Sequence, residues 1–190
     1  MKAKSALLAL LLFSLLLSLP LASSANSITY VDLALGLSIH VLEDSNEGAA
    51  SEVVKAAVGV QWLPFLSSQV GIWSWYGEEV DSNKNSVGDD VASFDGLSAS
   101  WEVALQLPLE DKYSDFSIGP YYRFGRHCWS AVISGLIQPW SKEGCSPLQT
   151  LGFVFPTIED KRAVVYVELT RTDFDDLTSS SFQLGAKLAF

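Results

Sequence analysis

The chain has 190 residues, 48% of them apolar and 12% aromatic, with 12 basic side chains against 22 acidic for a formal charge of −10. That length suits one domain. The acidic balance argues against nucleic-acid binding, because a phosphate-reading surface needs Lys and Arg in excess.

Met1 to Ala25 carries Lys2 and Lys4, an apolar run from Ala6 to Leu21, then Ala22-Ser23-Ser24-Ala25, with small residues at the two positions a signal peptidase inspects. We read residues 1–25 as a secretory signal peptide removed on export. An uncleaved anchor fits less well, since the run is short, broken by Pro20 and followed by no basic cluster. Cleavage leaves 165 of the 190 residues and, with Lys2 and Lys4 gone, 10 basic against 22 acidic side chains, a net of −12. No linker, internal repeat or step in composition divides residues 26–190, which read as one domain.

Period-two alternation runs through that domain. From Tyr30 to Val41, Val31, Leu33, Leu35, Leu37, Ile39 and Val41 share one face, and Asp32, Ala34, Gly36, Ser38 and His40 the other. From Val54 to Trp62, Lys55, Ala57, Gly59 and Gln61 oppose the apolar set; from Leu97 to Leu107, Ser98, Ser100, Glu102, Ala104 and Gln106 do so. Phe116, Ile118, Pro120, Tyr122 and Phe124 oppose Ser117, Gly119, Tyr121, Arg123 and Gly125. Val165, Val167 and Leu169 oppose Tyr166, Glu168 and Thr170; Phe182, Leu184, Ala186, Leu188 and Phe190 oppose Gln183, Gly185, Lys187 and Ala189. Gln69 to Gly77, where Trp73 and Trp75 disturb the parity, and Leu148 to Phe155 bring the strands to eight.

A secreted water-soluble β-sandwich would also alternate, but its solvent face should carry Lys, Glu, Thr and Asn freely. Here that face is mostly Gly, Ala and Ser with single charges, which suits the inside of a narrow closed barrel, and the large aliphatic face would then meet lipid. The connections point the same way. Leu63 to Ser68, Pro108 to Asp115 and Pro156 to Arg162 are short, whereas Leu42 to Glu52, Glu78 to Asp95, Cys128 to Pro147 and Asp173 to Ser180 are mostly longer. Strict alternation of short and long is the asymmetry of an outer-membrane barrel with tight periplasmic turns and extended external loops.

In these features the chain resembles the small eight-stranded outer-membrane β-barrel proteins of Gram-negative bacteria, of the OmpA-like and OmpX-like kind. The most specific element is the C-terminal segment from Phe182 to Phe190, apolar at Phe182, Leu184, Leu188 and Phe190 and ending on an aromatic. It looks like the strand that the family's assembly machinery recognises. The resemblance implies an eight-stranded antiparallel up-and-down transmembrane barrel in the bacterial outer membrane, with outer-membrane lipid and lipopolysaccharide as its surroundings. With Phe190 as the last residue, no periplasmic peptidoglycan-binding domain is implied.

On that barrel Asp32, Glu102 and Glu168 face inward with Lys55, Arg123 and Lys187, and three acids against three bases suggest an ion-pair network closing the lumen. Glu102 with Arg123, and Glu168 with Lys187, lie on consecutive strands and are the expected pairs. A narrow ion-conducting path is the rival reading, although eight strands leave a lumen about filled by side chains. Cys128 and Cys145, in an exported chain, read as a disulfide, because a metal site would need further ligands and only His127 lies in that stretch. The loop between them holds Trp129, Val132, Ile133, Leu136, Ile137 and Trp140, read as a lid over the barrel mouth, with a surface for a host or partner protein as the alternative.

A lipid-modifying hydrolase would need a nucleophile and a His base at the outer rim. His40 and His127 fall near outer strand ends, with Ser130, Ser134 and Ser179 to Ser181 available, but no His-x-Ser spacing appears. No catalytic residue, metal or cofactor is expected. Arg126, Arg171 and Lys142 could meet lipopolysaccharide phosphates or simply be solvated, and Trp62, Tyr76, Trp101, Tyr122 and Phe190 suit interfacial aromatic belts. The four expected external loops hold 14 acids, Glu43, Asp44, Glu47, Glu52, Glu78, Glu79, Asp81, Asp89, Asp90, Asp95, Glu143, Asp173, Asp175 and Asp176, against Lys84 and Lys142. A neutral barrel would thus stand under an acidic crown, suited to surface interaction or adhesion, and able to gather divalent cations.

Overall fold

Inward charges that must be shared and outward leucines that must leave water are both accommodated when a sheet closes on itself, and in a computed structural model it does. The structure describes residues 27–42, 48–77, 93–109, 115–134, 140–157 and 161–190; the expected signal peptide, residues 1–25, lies outside them. Eight strands, β1 (Ile28–Leu42), β2 (Gly48–Leu63), β3 (Leu66–Tyr76), β4 (Ser93–Gln106), β5 (Gly119–Ser134), β6 (Trp140–Pro156), β7 (Ala163–Phe174) and β8 (Leu177–Ala189), form a closed barrel in sequence order. Each pairs antiparallel with the next, and β8 closes on β1 from Tyr30 opposite Ala189 to Leu42 opposite Leu177.

The alternation sets which face each residue takes. On β1, Leu35 and Leu37 point out and are 68% and 67% exposed, while Asp32 and His40 point in and are fully buried. The same holds around the wall, where Leu151, Leu169, Leu184 and Trp101 are each more than half exposed. A continuous apolar belt of this size is far larger than the few hundred Å² patches a protein in water tolerates.

Several strand ends differ from the sequence expectation, with one physical cause. Above the belt the outward residues turn mostly polar while bulky apolar ones such as Trp129, Ile133, Phe174 and Leu177 turn inward, so the contrast seen lower down is reversed, but the hydrogen-bonded ladder does not depend on it and continues. Thus Cys128–Pro147 is not a long loop: β5 and β6 pair through Cys128 opposite Cys145 up to Ile133 opposite Trp140. Likewise Asp173–Ser180 is ladder up to Phe174 opposite Leu177, leaving a two-residue turn at Asp175 and Asp176, with Asp175 at φ 63°, a conformation Asp tolerates better than most residues. Strict alternation of short and long connections therefore fails, because β4 and β5 are joined by the longer stretch 107–118 on the tight-turn side.

Two expectations about faces are also corrected. Trp73 and Trp75 do not break parity: Ser67, Gln69, Gly71, Trp73 and Trp75 form one inward row, and both indoles are buried. Phe116 and Ile118, expected on the outer face, are buried at the barrel end. Gly119, at φ 127°, lies between them and the regular part of β5, and a side chain there would run into the Leu107 carbonyl, so the alternation does not carry across it.

Candidate functional site

The six charges expected inside all point inward and are buried, but their partners follow the register. Arg123 lies diagonal to Glu102, since Glu102 stands opposite Gly125 and Ala104 opposite Arg123, and Nε comes within 2.5 Å of Glu102 Oε2. Its Nη2 donates to Glu168 Oε2 at 2.6 Å, and Nη1 is 3.8 Å from Asp32. Lys55 bridges Asp32 at 3.2 Å and Glu168 at 2.8 Å. The expected Glu168–Lys187 pair is not formed. Glu168 stands opposite Gln183, whereas Lys187 stands opposite Val164, four residues along the ladder, so Glu168 reaches across the lumen to Lys55 and Arg123 instead.

Lys187 lies over the rings of Tyr30, Tyr121 and Tyr166, 5.0, 5.3 and 5.6 Å from their centroids. The hydroxyls of two of these rings serve the carboxylates, Tyr121 donating to Glu168 at 2.6 Å and Tyr166 to Asp32. Glu102 accepts from Ser100 at 2.5 Å and from Gln69 at 3.2 Å. Each tyrosine covers a glycine directly across the ladder: Tyr30 on Gly59, Tyr121 on Gly152, Tyr166 on Gly185. Glycine gives each ring room to lie against the wall.

Apolar layers flank the charges. Towards the tight turns lie Phe116, Ile118, Val154, Val164 and the tyrosines. Towards the other end Phe174 packs edge-on to Trp75, Phe94, Trp129 and His127 at 5.1–5.3 Å, and Ile133 and Leu177 complete that layer. So Trp129 and Ile133, read in sequence as part of a lid, fill this layer from the wall as strand residues; Val132 points outward, and Leu136 and Ile137 lie outside the described residues. His40 stacks on Phe94 at 3.7 Å and bonds Ser51 at 2.7 Å, and His127 bonds Thr172. Both imidazoles thus face the packed interior, whereas Ser130 and Ser134 face outward; Ser179 and Ser181 are tied to Ser38 at 2.9 and 2.8 Å.

Cys128 and Cys145 are disulfide-bonded on the outward face of the β5–β6 hairpin. Arg126 and Arg171 are exposed on the outer wall. Lys142 bonds Asp175 and Asp176 at 2.5 and 2.9 Å. These bonds raise its pKa, so the contribution is complete at neutral pH and is lost only as pH rises through the raised value. Trp62, Tyr76, Trp101, Tyr122 and Phe190 are all outward and exposed, as are Phe182, Leu184 and Leu188. Of the acidic crown, Glu52, Asp95, Glu143 and Asp173 stand on strand ends and Asp175 and Asp176 in a turn; the other eight acids lie outside the described residues. No group of three His, Cys, Asp or Glu among the described residues is placed to hold a metal ion.

Sequence reasoning missed the aromatic layer of Trp73, Trp75, Phe94, Trp129 and Phe174, because bulk was assigned to the lipid face. The row Ser67, Gln69, Gly71 carried the signal: extended by two and by four residues, it lands on the two tryptophans.

No family model matches the chain, and no curated protein matches it in sequence. Solved structures do. Neisserial surface protein A superposes with a TM-score of 0.63 at 9% identity, over 85% of this chain and 97% of that one. The N-terminal β-barrel domain of Pseudomonas aeruginosa OprF gives 0.56 at 9%, over 85% and 97%. Ail, the attachment invasion locus protein of Yersinia pestis, gives 0.55 at 15%, over 87% and 99%. These are small eight-stranded outer-membrane barrels, and the chain has their fold.

Proposed function

We propose that this chain, a barrel of the outer-membrane type, sits in the bacterial outer membrane with its tight turns and C-terminus in the periplasm, passes nothing through its lumen and performs no chemistry. It acts through what its wall and external strand ends touch, as a surface-interaction or adhesion protein. The observation that carries this reading is the layered lumen, with buried charges paired across it and an apolar layer on either side. Charges held in that way have no aqueous path to serve, and among the described residues the hydroxyls that His40 and His127 bond, those of Ser51 and Thr172, are buried. The strand ends that project beyond the belt carry an excess of acid over base, which favours a basic partner surface. The name of Ail, attachment invasion locus protein, fits the same kind of role.

The test compares cells that display the wild-type protein with cells that display Glu52→Gln, Glu143→Gln and Asp173→Asn combined, on surfaces coated with a basic protein. These three carboxylates project outward from strand ends, so the barrel should fold unchanged. Adhesion several-fold above the variant, with the difference shrinking as salt rises, is expected. Equal adhesion, or conductance steps from the reconstituted wild-type barrel in a planar bilayer, would overturn the reading.

A further inference from the structure

The outer wall is not the same all round. The ladder places Ser180 opposite Arg171 and Arg171 opposite Gln149, so three adjacent strands present a polar rung on the outward face. The next rung towards the tight turns is Phe182, Leu169 and Leu151, each in register with the next and each at least half exposed. Because Ser180 is short between longer neighbours, the wall is concave here, a shallow groove of ≈ 530 Å³ that includes both rungs. Arg126, outward on β5, stands above the groove's far side. At the upper edge of the belt on β2 and β4, the outward charges are Glu52 and Asp95. Among the described residues, Arg126 and Arg171 are the cations on the outward face of the strands, and both are on this half. The carboxylate nearest along the chain, Asp173, accepts a hydrogen bond from Thr178 at 3.1 Å.

Guanidinium groups above an apolar floor fit an amphiphile whose chains lie on the wall and whose head carries phosphate, which a guanidinium binds bidentately. Arg126 and Arg171 are two strands apart and offset by two residues along the ladder, about 12 Å by strand spacing and rise, which suits two phosphates on one head better than one. Resting on the reading that this wall lies in lipid with β5–β8 reaching the outer leaflet, we infer that the groove seats a diphosphorylated, multiply acylated glycolipid of the lipid A type. The barrel would then carry an oriented lipid on one side.

The test puts purified wild-type protein and Arg126→Glu/Arg171→Glu into nanodiscs and measures binding by native mass spectrometry. The probes are diphosphoryl lipid A, monophosphoryl lipid A and phosphatidylglycerol. Both side chains are exposed, so the variant should fold, which heat-modifiable gel migration checks. Wild type should hold diphosphoryl lipid A at least ~10-fold tighter than phosphatidylglycerol, a difference of about 1.4 kcal/mol, with the monophosphoryl form between. The variant should lose that preference. A variant that binds like wild type, or a wild type with no preference, overturns the seat while leaving the barrel reading intact. A wild type that does not enter the disc at all would instead overturn the membrane reading on which the seat rests.

Discussion

Arg123→Ala should destabilise the barrel by about 3–5 kcal/mol, the range for breaking a buried ion pair from one side. The measurement is urea-induced unfolding in lipid vesicles, followed by loss of the fast-migrating unboiled form on a gel. Arg123 is within 2.5 Å of Glu102 and 2.6 Å of Glu168, and all three are essentially without solvent contact. Without it three buried carboxylates face two lysines, one of which, Lys187, lies against ring faces. Glu102 suffers most, since its remaining partners are Ser100 and Gln69, whereas Glu168 keeps Lys55 and Tyr121. Glu102→Ala should cost less than Arg123→Ala, because the arginine retains Glu168. The reverse order, or an Arg123→Ala barrel as stable as wild type, would contradict the network as described.

Gly185→Ala carries the second large effect. A Cβ at Gly185 would lie within 2.7 Å of Tyr166 Cε1 and still nearer to Cζ and the hydroxyl, so the ring must leave. Overpacking alone costs about 1–3 kcal/mol. The displaced ring also gives up its hydrogen bond to Asp32 and its faces over Lys55 and Lys187, where a bond to a charged group is worth ~1.5–3 kcal/mol. A net loss of about 3 kcal/mol is expected. Because the clash needs the ring, Gly185→Ala should cost far less in a Tyr166→Leu background, and a double-mutant cycle reads that coupling. Strictly additive losses would mean that ring and glycine do not meet.

Much of this fold is visible in the sequence because two constraints act on alternate residues. Lipid demands Leu33, Leu35 and Leu37 outward, and a narrow lumen demands Asp32, Ala34 and Gly36 inward, so β1 can be read from period two alone. The same logic yields all six lumen charges. It fails where one constraint lapses. Above the belt, at Cys128–Ser134 and Trp140–Pro147, Ser130, Ser134, Ser141 and Glu143 take the outward face while Trp129 and Ile133 turn inward, so the strands continue with the belt's pattern reversed. Inside, the rule that small residues face the lumen holds beside the tyrosines and fails at Trp73 and Phe174, where one end of the barrel is filled by bulk. Partner choice among the charges was the least legible feature. Sequence adjacency favours neighbouring strands, but in a barrel this narrow the short route for Glu168 is across the lumen to Lys55.

Leu35, Leu37, Leu151 and Leu169, all more than half exposed, must meet lipid instead of water, and cell fractionation with heat-modifiable gel migration tests that directly. The protein should be recovered in the outer-membrane fraction and, unboiled, should run ahead of its boiled form. Recovery in the soluble periplasm, with identical migration before and after boiling, would contradict it.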